Sequence, residues 1–323
     1  MPPRPGAARS PEKTLMPTLS NPSHPLHNLS AYIYGTTRLG DAAIAFDERV
    51  RVARAAMDQG VWFHTSHQYG NALSVLRAAF AEDRAHIPQL IFKIGWKSVA
   101  EVRATVDDLT RAVGIERMDI GQLCLDGDLA ADFAAGGPSV QALHALRSEG
   151  KVGRYVLQVF PWTSSVALAA LGAGHARGLI DGYIFYLNPL QRFATNPLWD
   201  LLHETRSPII GMRTVAGGNV FDLRDVPGAA WKDYLRERAG EVAPIFERAG
   251  VASWPEFCIR FAHSFENVCA TVGATSHPRR LEELVRVARG PLEPLDAGVV
   301  ADLAKLQRRW SDAVDVHGTP GSM

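Results

Sequence analysis

From about residue 30 the chain alternates short runs of β-branched and aromatic residues with longer stretches in which apolar positions recur every three or four residues. The short runs AYIYG (31–35), VWFHTS (61–66), QLIFKIGW (89–96), MDIGQLCLD (118–126), GRYVLQVF (153–160), DGYIFYLN (181–188), PIIGMRTV (208–215) and NVCATVG (267–273) predict strands. Between them, FDERVRVARAAMDQG, NALSVLRAAFAEDR, VAEVRATVDDLTRAVG, PSVQALHALRSEG, SSVALAALGAGHARG, NPLWDLLHETR, WPEFCIRFAHSF and PRRLEELVRVAR carry the helical period. Val50, Ala53 and Met57 mark one buried face of the first helix, with Gly60 as its stop, and Gly114 ends the third.

About eight strand–helix units follow one another without a long hydrophilic break. That count predicts an α/β protein with a closed (β/α)8 barrel of about 250 residues rather than an open doubly wound sheet. An insertion is expected around residues 217–250 and an extra helix over 294–314. Residues 1–27, rich in Pro and Ser and without a continuous apolar core, read as a disordered leader. The expected organisation is therefore the leader, a single barrel domain with its C-terminal helix over 28–316, and a tail over 317–323.

Composition narrows the partners. Lys+Arg and Asp+Glu both total 34, and 46% of the 323 residues are hydrophobic. No net positive field draws the chain to nucleic acid or to an anionic membrane, and no apolar run reaches the roughly 20 residues of a membrane span. A small-molecule partner is expected. Cys124, Cys258 and Cys269 are too few and too scattered for a disulfide framework or a zinc site, so no metal is expected and a reducing cytoplasm fits.

In a barrel of this kind the chemistry sits at the carboxyl ends of the strands. His64, Tyr69, Lys93, Cys124, Gln158, Asn188, Arg213 and Thr275 all fall at or just past predicted strand ends and can converge on one mouth. His67 reads as an exposed loop residue. The aromatics Trp62, Phe63, Trp96, Phe160, Trp162, Tyr186 and Trp231 either line a cleft there or belong to the core.

The order of these residues resembles the aldo-keto reductase superfamily over residues 30–290. FHTSHQYG is similar to that family's Phe-Asp-Thr-Ala-x-x-Tyr-Gly segment, with His64 in place of the acid. Lys93 in IFKIG matches its lysine, and Cys124 in QLC stands where its histidine follows Gln-Leu. GKVGRYVLQVF resembles the fifth-strand segment, with Gln158 and Val159 replacing Ser-Asn, and Ile184 occupies the sixth-strand Gln position. IIGMRTVAGG resembles the seventh-strand segment. TVGATSHPRRLEEL resembles the segment that holds the adenosine end of NADP(H), with Ala274 replacing a lysine and Leu284 an asparagine.

The resemblance implies an NADP(H)-dependent oxidoreductase moving hydride to or from a small carbonyl or alcohol, with a degenerate catalytic tetrad. Tyr69 would give the proton, Lys93 would tune it, and His64 and Cys124 would complete the catalytic set. Gln158, Asn188, Arg213, Thr275, Arg280 and Glu283 would bind the cofactor, with Arg279 adding charge beside them. Alternatives are non-redox lyase or isomerase chemistry on His64, Tyr69 and Lys93, or a redox-silent nucleotide-binding relative. Loss of the acid beside Lys93 also leads one to expect a lowered lysine pKa through desolvation.

Overall fold

The computed structural model describes residues 25–95, 98–124, 127–216, 233–290 and 293–313. The expected leader up to residue 24, the start of the expected insertion (217–232), Trp96, Trp231 and the tail lie outside them.

Eight parallel strands close into a barrel: β1 (Tyr32–Gly35), β2 (Trp62–Thr65), β3 (Leu90–Ile94), β4 (Met118–Cys124), β5 (Val152–Gln158), β6 (Gly182–Asn188), β8 (Ile209–Met212) and β9 (Val268–Gly273). The two-residue β7 (Gln191–Arg192) folds back antiparallel on β6, a hairpin that the alternation along the chain does not reveal. Closure runs through β5 with β6 (Val156 opposite Gly182) and β1 with β9 (Ile33 opposite Val272).

The helices coat the outside: α1 (Phe46–Asp58), α2 (Ala72–Glu82), α3 (Val99–Val113), α4 (Gly127–Ala135), α5 (Pro138–Ser148), α6 (Ser164–Gly172), α7 (Asn196–Glu204), α8 (Asp233–Ala249), α9 (Trp254–His263), α10 (Pro278–Arg289) and α11 (Ala297–Ala313). α4 was not foreseen, and α8 fills the second part of the expected insertion. Gly114 ends α3 in the left-handed conformation, with its N–H on the carbonyls of Thr110 and Arg111.

Side-chain alternation sorts the strands into two cores. One face of each strand meets the helices through Phe63, Phe92, Leu123, Leu157 and Phe185. The other face fills the barrel with Ile33, Trp62, Ile91, Ile120, Val156, Ile184, Ile210 and Ala270. Bulky branched side chains dominate this lumen, so it is packed rather than open.

Its floor comes from a place assigned to the leader. Residues 25–28 form a turn, Leu26 is 1% exposed and packs into the barrel interior, and the Trp62 indole donates to the Asn28 carbonyl at 3.0 Å. A barrel whose lowest layer is apolar needs a cover against water, and Leu26 provides it.

Candidate active site

One pleat above the aliphatic layer the lumen turns polar. Two residues beyond Trp62, Ile91, Ile120, Val156 and Ile184 come His64, Lys93, Gln122, Gln158 and Tyr186, inward by the same alternation. The register sets Lys93 opposite Gln122 and Cys124 opposite Gln158.

These side chains are joined by a directional hydrogen-bond chain. The His64 Nε2 stands 2.6 Å from Gln122 Oε1, and the Gln122 Nε2 donates to Gln158 Oε1 at 2.5 Å. The Cys124 thiol donates to the same Gln158 oxygen at 2.9 Å. Because Gln122 Oε1 can only accept, the imidazole carries its proton on Nε2. Burial, followed by the Lys93 cation, pushes the His64 pKa down to about 3 against the pull of the Gln122 bond. His64 is therefore a neutral imidazole at physiological pH.

Tyr69 reaches this cluster from the β2–α2 loop. The Ser66 carbonyl accepts from the Tyr69 N–H and the Ser66 hydroxyl from the Gln68 N–H, which turns the chain sharply after the strand. The turn is then locked against a 3-10 turn at Thr36–Gly40. A Cβ on Gly40 would lie 2.0 Å from the Tyr69 carbonyl oxygen, and one on Gly70, at φ +52°, would lie 2.6 Å from the Gly40 oxygen. Only glycine at both places allows this approach. The buried Arg49 of α1 donates to the Leu39 carbonyl at 2.8 Å and also to Asn71 Oδ1, clamping both turns together.

The Lys93 ammonium lies 5.4 Å from the centroid of the Tyr69 ring. The His64 and Tyr69 rings are 6.3 Å apart between centroids. The expected drop in the Lys93 pKa is not what the structure gives. Burial does pull it down, but the anionic forms of Tyr69, Cys124 and Tyr186 and the hydrogen bond with Tyr69 outweigh it, and Lys93 is held above the ordinary lysine value.

The sequence-predicted residues thus fall into three groups. His64, Tyr69, Lys93, Cys124 and Gln158 meet at the centre of the mouth. Asn188 and Arg213 form a second group beside them. Arg213 has a left-handed backbone (φ 52°) and its guanidinium carbon stands 5.0 Å from the Tyr186 centroid. The Asn188 amide donates to the Arg213 carbonyl at 3.0 Å, and its Oδ1 accepts from the Leu190 N–H at 2.9 Å. Asn188 is fully buried and fixes the strand ends.

Thr275, Arg280 and Glu283 form the third group, at the β9–α10 edge. Thr275 Oγ1 accepts from the His277 N–H at 3.1 Å, and the Thr275 carbonyl accepts from the buried Tyr34 hydroxyl at 2.8 Å. Arg279 and Arg280 are exposed on the first turn of α10, and Glu283 is half-buried. His67 is exposed, as expected, whereas Trp62 and Phe63 are core. Phe160 and Trp162 stack at 4.7 Å, and Phe193 connects them to Tyr186.

Gln122 and Arg49 escaped the sequence reading. Gln122 could have been found by parity, since it shares a face with Ile120 inside a parallel strand, where a polar side chain demands partners. Arg49 carried no local signal, because its acceptors come from two distant turns. Among the described residues no group of three or more His, Cys, Asp or Glu side chains is placed to hold a metal, and no helix is long and apolar enough to cross a membrane.

The chain is a closed (β/α)8 barrel with Tyr69 and Lys93 close together at the carboxyl ends of its strands. No protein-family model matches the sequence, and neither does any curated protein. Solved structures do match. An aldo-keto reductase from Bacillus halodurans in its holo form aligns with TM-score 0.66 and 19% identity, over 87% of this chain and 95% of that one. An aldo-keto reductase from Klebsiella pneumoniae in complex with NADP and acetate aligns with TM-score 0.63 and 16% identity, over 87% and 92%. The chain shares the fold of these aldo-keto reductases.

Proposed function

We propose that this chain is an NADP(H)-dependent oxidoreductase of the aldo-keto reductase type, acting on a small carbonyl or alcohol substrate. The observation that carries the reading is the Tyr69–Lys93 pair, with the ammonium 5.4 Å from the phenol ring at the barrel mouth. It is supported by the NADP held in the Klebsiella structure of the same fold.

The residues present fit the cofactor, more strongly at one end. At the β9–α10 edge, the start of a twelve-residue helix and the exposed Arg279 and Arg280 suit a phosphate, since unpaired backbone N–H groups and guanidinium forks both favour anions. Thr275 and Glu283 would complete that end, and Arg213 would cover the pyrophosphate. Asn188 has both its amide nitrogen and oxygen engaged, by Arg213 and Leu190, whereas Gln158 has its oxygen taken by Gln122 and Cys124 and would hold the carboxamide through its nitrogen. Bound there, NADP(H) supplies or accepts the hydride.

The chain's own residues then govern the proton. Tyr69 donates it to the developing alkoxide, and Lys93, kept cationic, faces the phenolate that remains. His64 is neutral and held by Gln122, so it orients groups rather than supplying a charge. An enolising set built on a neutral Lys93 draws no support from a lysine whose pKa is raised. The three free cysteines are in keeping with a reducing compartment such as the cytoplasm.

The test is a titration of the purified chain with NADPH, read by tryptophan fluorescence, followed by a panel of carbonyl compounds read by cofactor absorbance. Tyr69→Phe should keep NADPH binding and lose about 10²-fold or more in rate, the usual weight of a positioned acid. Failure to bind NADPH, or an undiminished rate in Tyr69→Phe, overturns the reading.

A further inference from the structure

Three places at which the chain departs from the pattern it resembles are not scattered in space. Cys124, Gln158 and His64 are joined through Gln122 into one hydrogen-bond chain, which runs from β4 to β5, back to β4 and on to β2. Gln122 is fully buried and Gln158 and His64 are 2% exposed, so the bonds between them are sheltered from water.

A side-chain amide has one accepting end and one donating end. Gln158 turns its oxygen both to the Cys124 thiol, at 2.9 Å, and to the Gln122 nitrogen, at 2.5 Å. With its nitrogen committed there, Gln122 has its oxygen left for His64 Nε2, at 2.6 Å. Turning either amide alone would set nitrogen against nitrogen or oxygen against oxygen. The chain therefore has two self-consistent directions, and the group at its head selects between them: an S–H calls for the Gln158 oxygen, an acceptor for the Gln158 nitrogen.

We propose that Cys124, Gln158 and Gln122 are positioning residues forming a polarity relay, in which the group at position 124 decides which ring nitrogen of His64 carries the proton. In the direction observed the proton is on Nε2, and Nδ1 keeps its lone pair. The consequence for turnover rests on the reductase reading given above. His64 meets a bound substrate as an acceptor and does not donate to its carbonyl oxygen through Nδ1, which leaves that role to Tyr69 and Lys93. Reversal of the relay would put an N–H there instead. What residue 124 offers is in this way read out at His64, two strands away.

The experiment labels the histidines of the full chain isotopically and reads the His64 ring nitrogens by NMR near neutral pH, without cofactor or substrate. The signals missing from His64→Gln assign them. Wild type should hold Nε2–H over Nδ1–H by about tenfold or more, and Cys124→Ser, which still donates, should match it. Cys124→Asp offers only acceptors, in a charge-assisted bond about twice as strong as a neutral one, and should swing the ratio toward Nδ1–H by about tenfold or more. In a Gln122→Met background, where the relay is cut, the same replacement should leave the ratio unchanged, which separates the relay from a direct effect of the new charge. Gln158→Glu presents oxygen to both partners and should keep Nε2–H; it is the deciding variant if Cys124→Asp does not fold.

Nδ1–H or a doubly protonated ring in wild type overturns the proposal, as does the absence of a swing in Cys124→Asp or a second proton on His64 in its place. The same swing in the Gln122→Met background, or loss of Nε2–H in Gln158→Glu, overturns it as well. If the chain binds no NADPH while the ring nitrogens behave as stated, the reductase reading fails and the relay stands. If they do not, the relay fails whatever the turnover.

Discussion

Acidification should destabilise this protein in a way that can be traced to one residue. His64 is an imidazole enclosed in the barrel lumen, with a folded-state pKa near 3 set by burial and by Lys93. In the unfolded chain the same group titrates near 6.5, about the ordinary value. Below that pH the unfolded state binds a proton that the folded state refuses, so stability falls as the pH falls. The loss begins near the unfolded value, proceeds at about 1.4 kcal/mol per pH unit, and stops only near the folded value.

Between pH 7 and pH 5 the linkage amounts to about 2 kcal/mol for His64 alone. His263, lowered to about 4 by burial, and His203, also lowered by burial, act in the same direction. The informative quantity is therefore the difference between wild type and His64→Gln, which cannot titrate. Urea unfolding of both proteins at the two pH values should show wild type losing about 2 kcal/mol more than the variant. The imidazole resonances of His64 should also stay in their neutral positions at pH 5. Equal losses in the two proteins, or a His64 resonance titrating near 6.5, would refute the argument that this imidazole is held neutral by its surroundings.

Further outcomes follow from other contacts. Leu26→Ala should cost about 2–4 kcal/mol in urea unfolding, because it opens the floor of a packed barrel. Gly40→Ala places a Cβ against the Tyr69 carbonyl and should lower kcat while leaving the NADPH dissociation constant within about twofold, as measured by fluorescence titration. Tyr34→Phe removes the hydroxyl that holds the Thr275 carbonyl. It should weaken NADPH binding about three- to tenfold, the worth of one neutral hydrogen bond, with kcat at saturating cofactor unchanged.

The order of elements was legible in the sequence because each barrel strand is a short run covered on both faces, and each intervening helix carries a single apolar stripe. The order of strands also made Lys93, Cys124 and Gln158 visible as candidates at strand ends, and Tyr69 in the loop just past one, since the carboxyl ends of the strands form the mouth. The two-residue β7 and helix α4 were not legible. β7 is defined by its pairing with β6 rather than by any period of its own, and α4 follows directly on a strand with which its apolar residues merge.

What tertiary structure alone decided is the character of the site. From the chain, replacing an acid by His64 suggested a deprotonation-prone Lys93, because desolvation is the effect that a sequence lets one anticipate. The fold brings Tyr69, Cys124 and Tyr186, from a loop and two other strands, around that ammonium, and their combined pull outweighs burial. Asn188, read from its position as a cofactor ligand, has its amide taken up by Arg213 and Leu190. Leu26, in a stretch whose composition reads as leader, closes the barrel floor. Periodicity fixes where side chains point along one element, but the partners that set charge, tautomer and burial come from elements far apart in the chain, and only their packing brings them together.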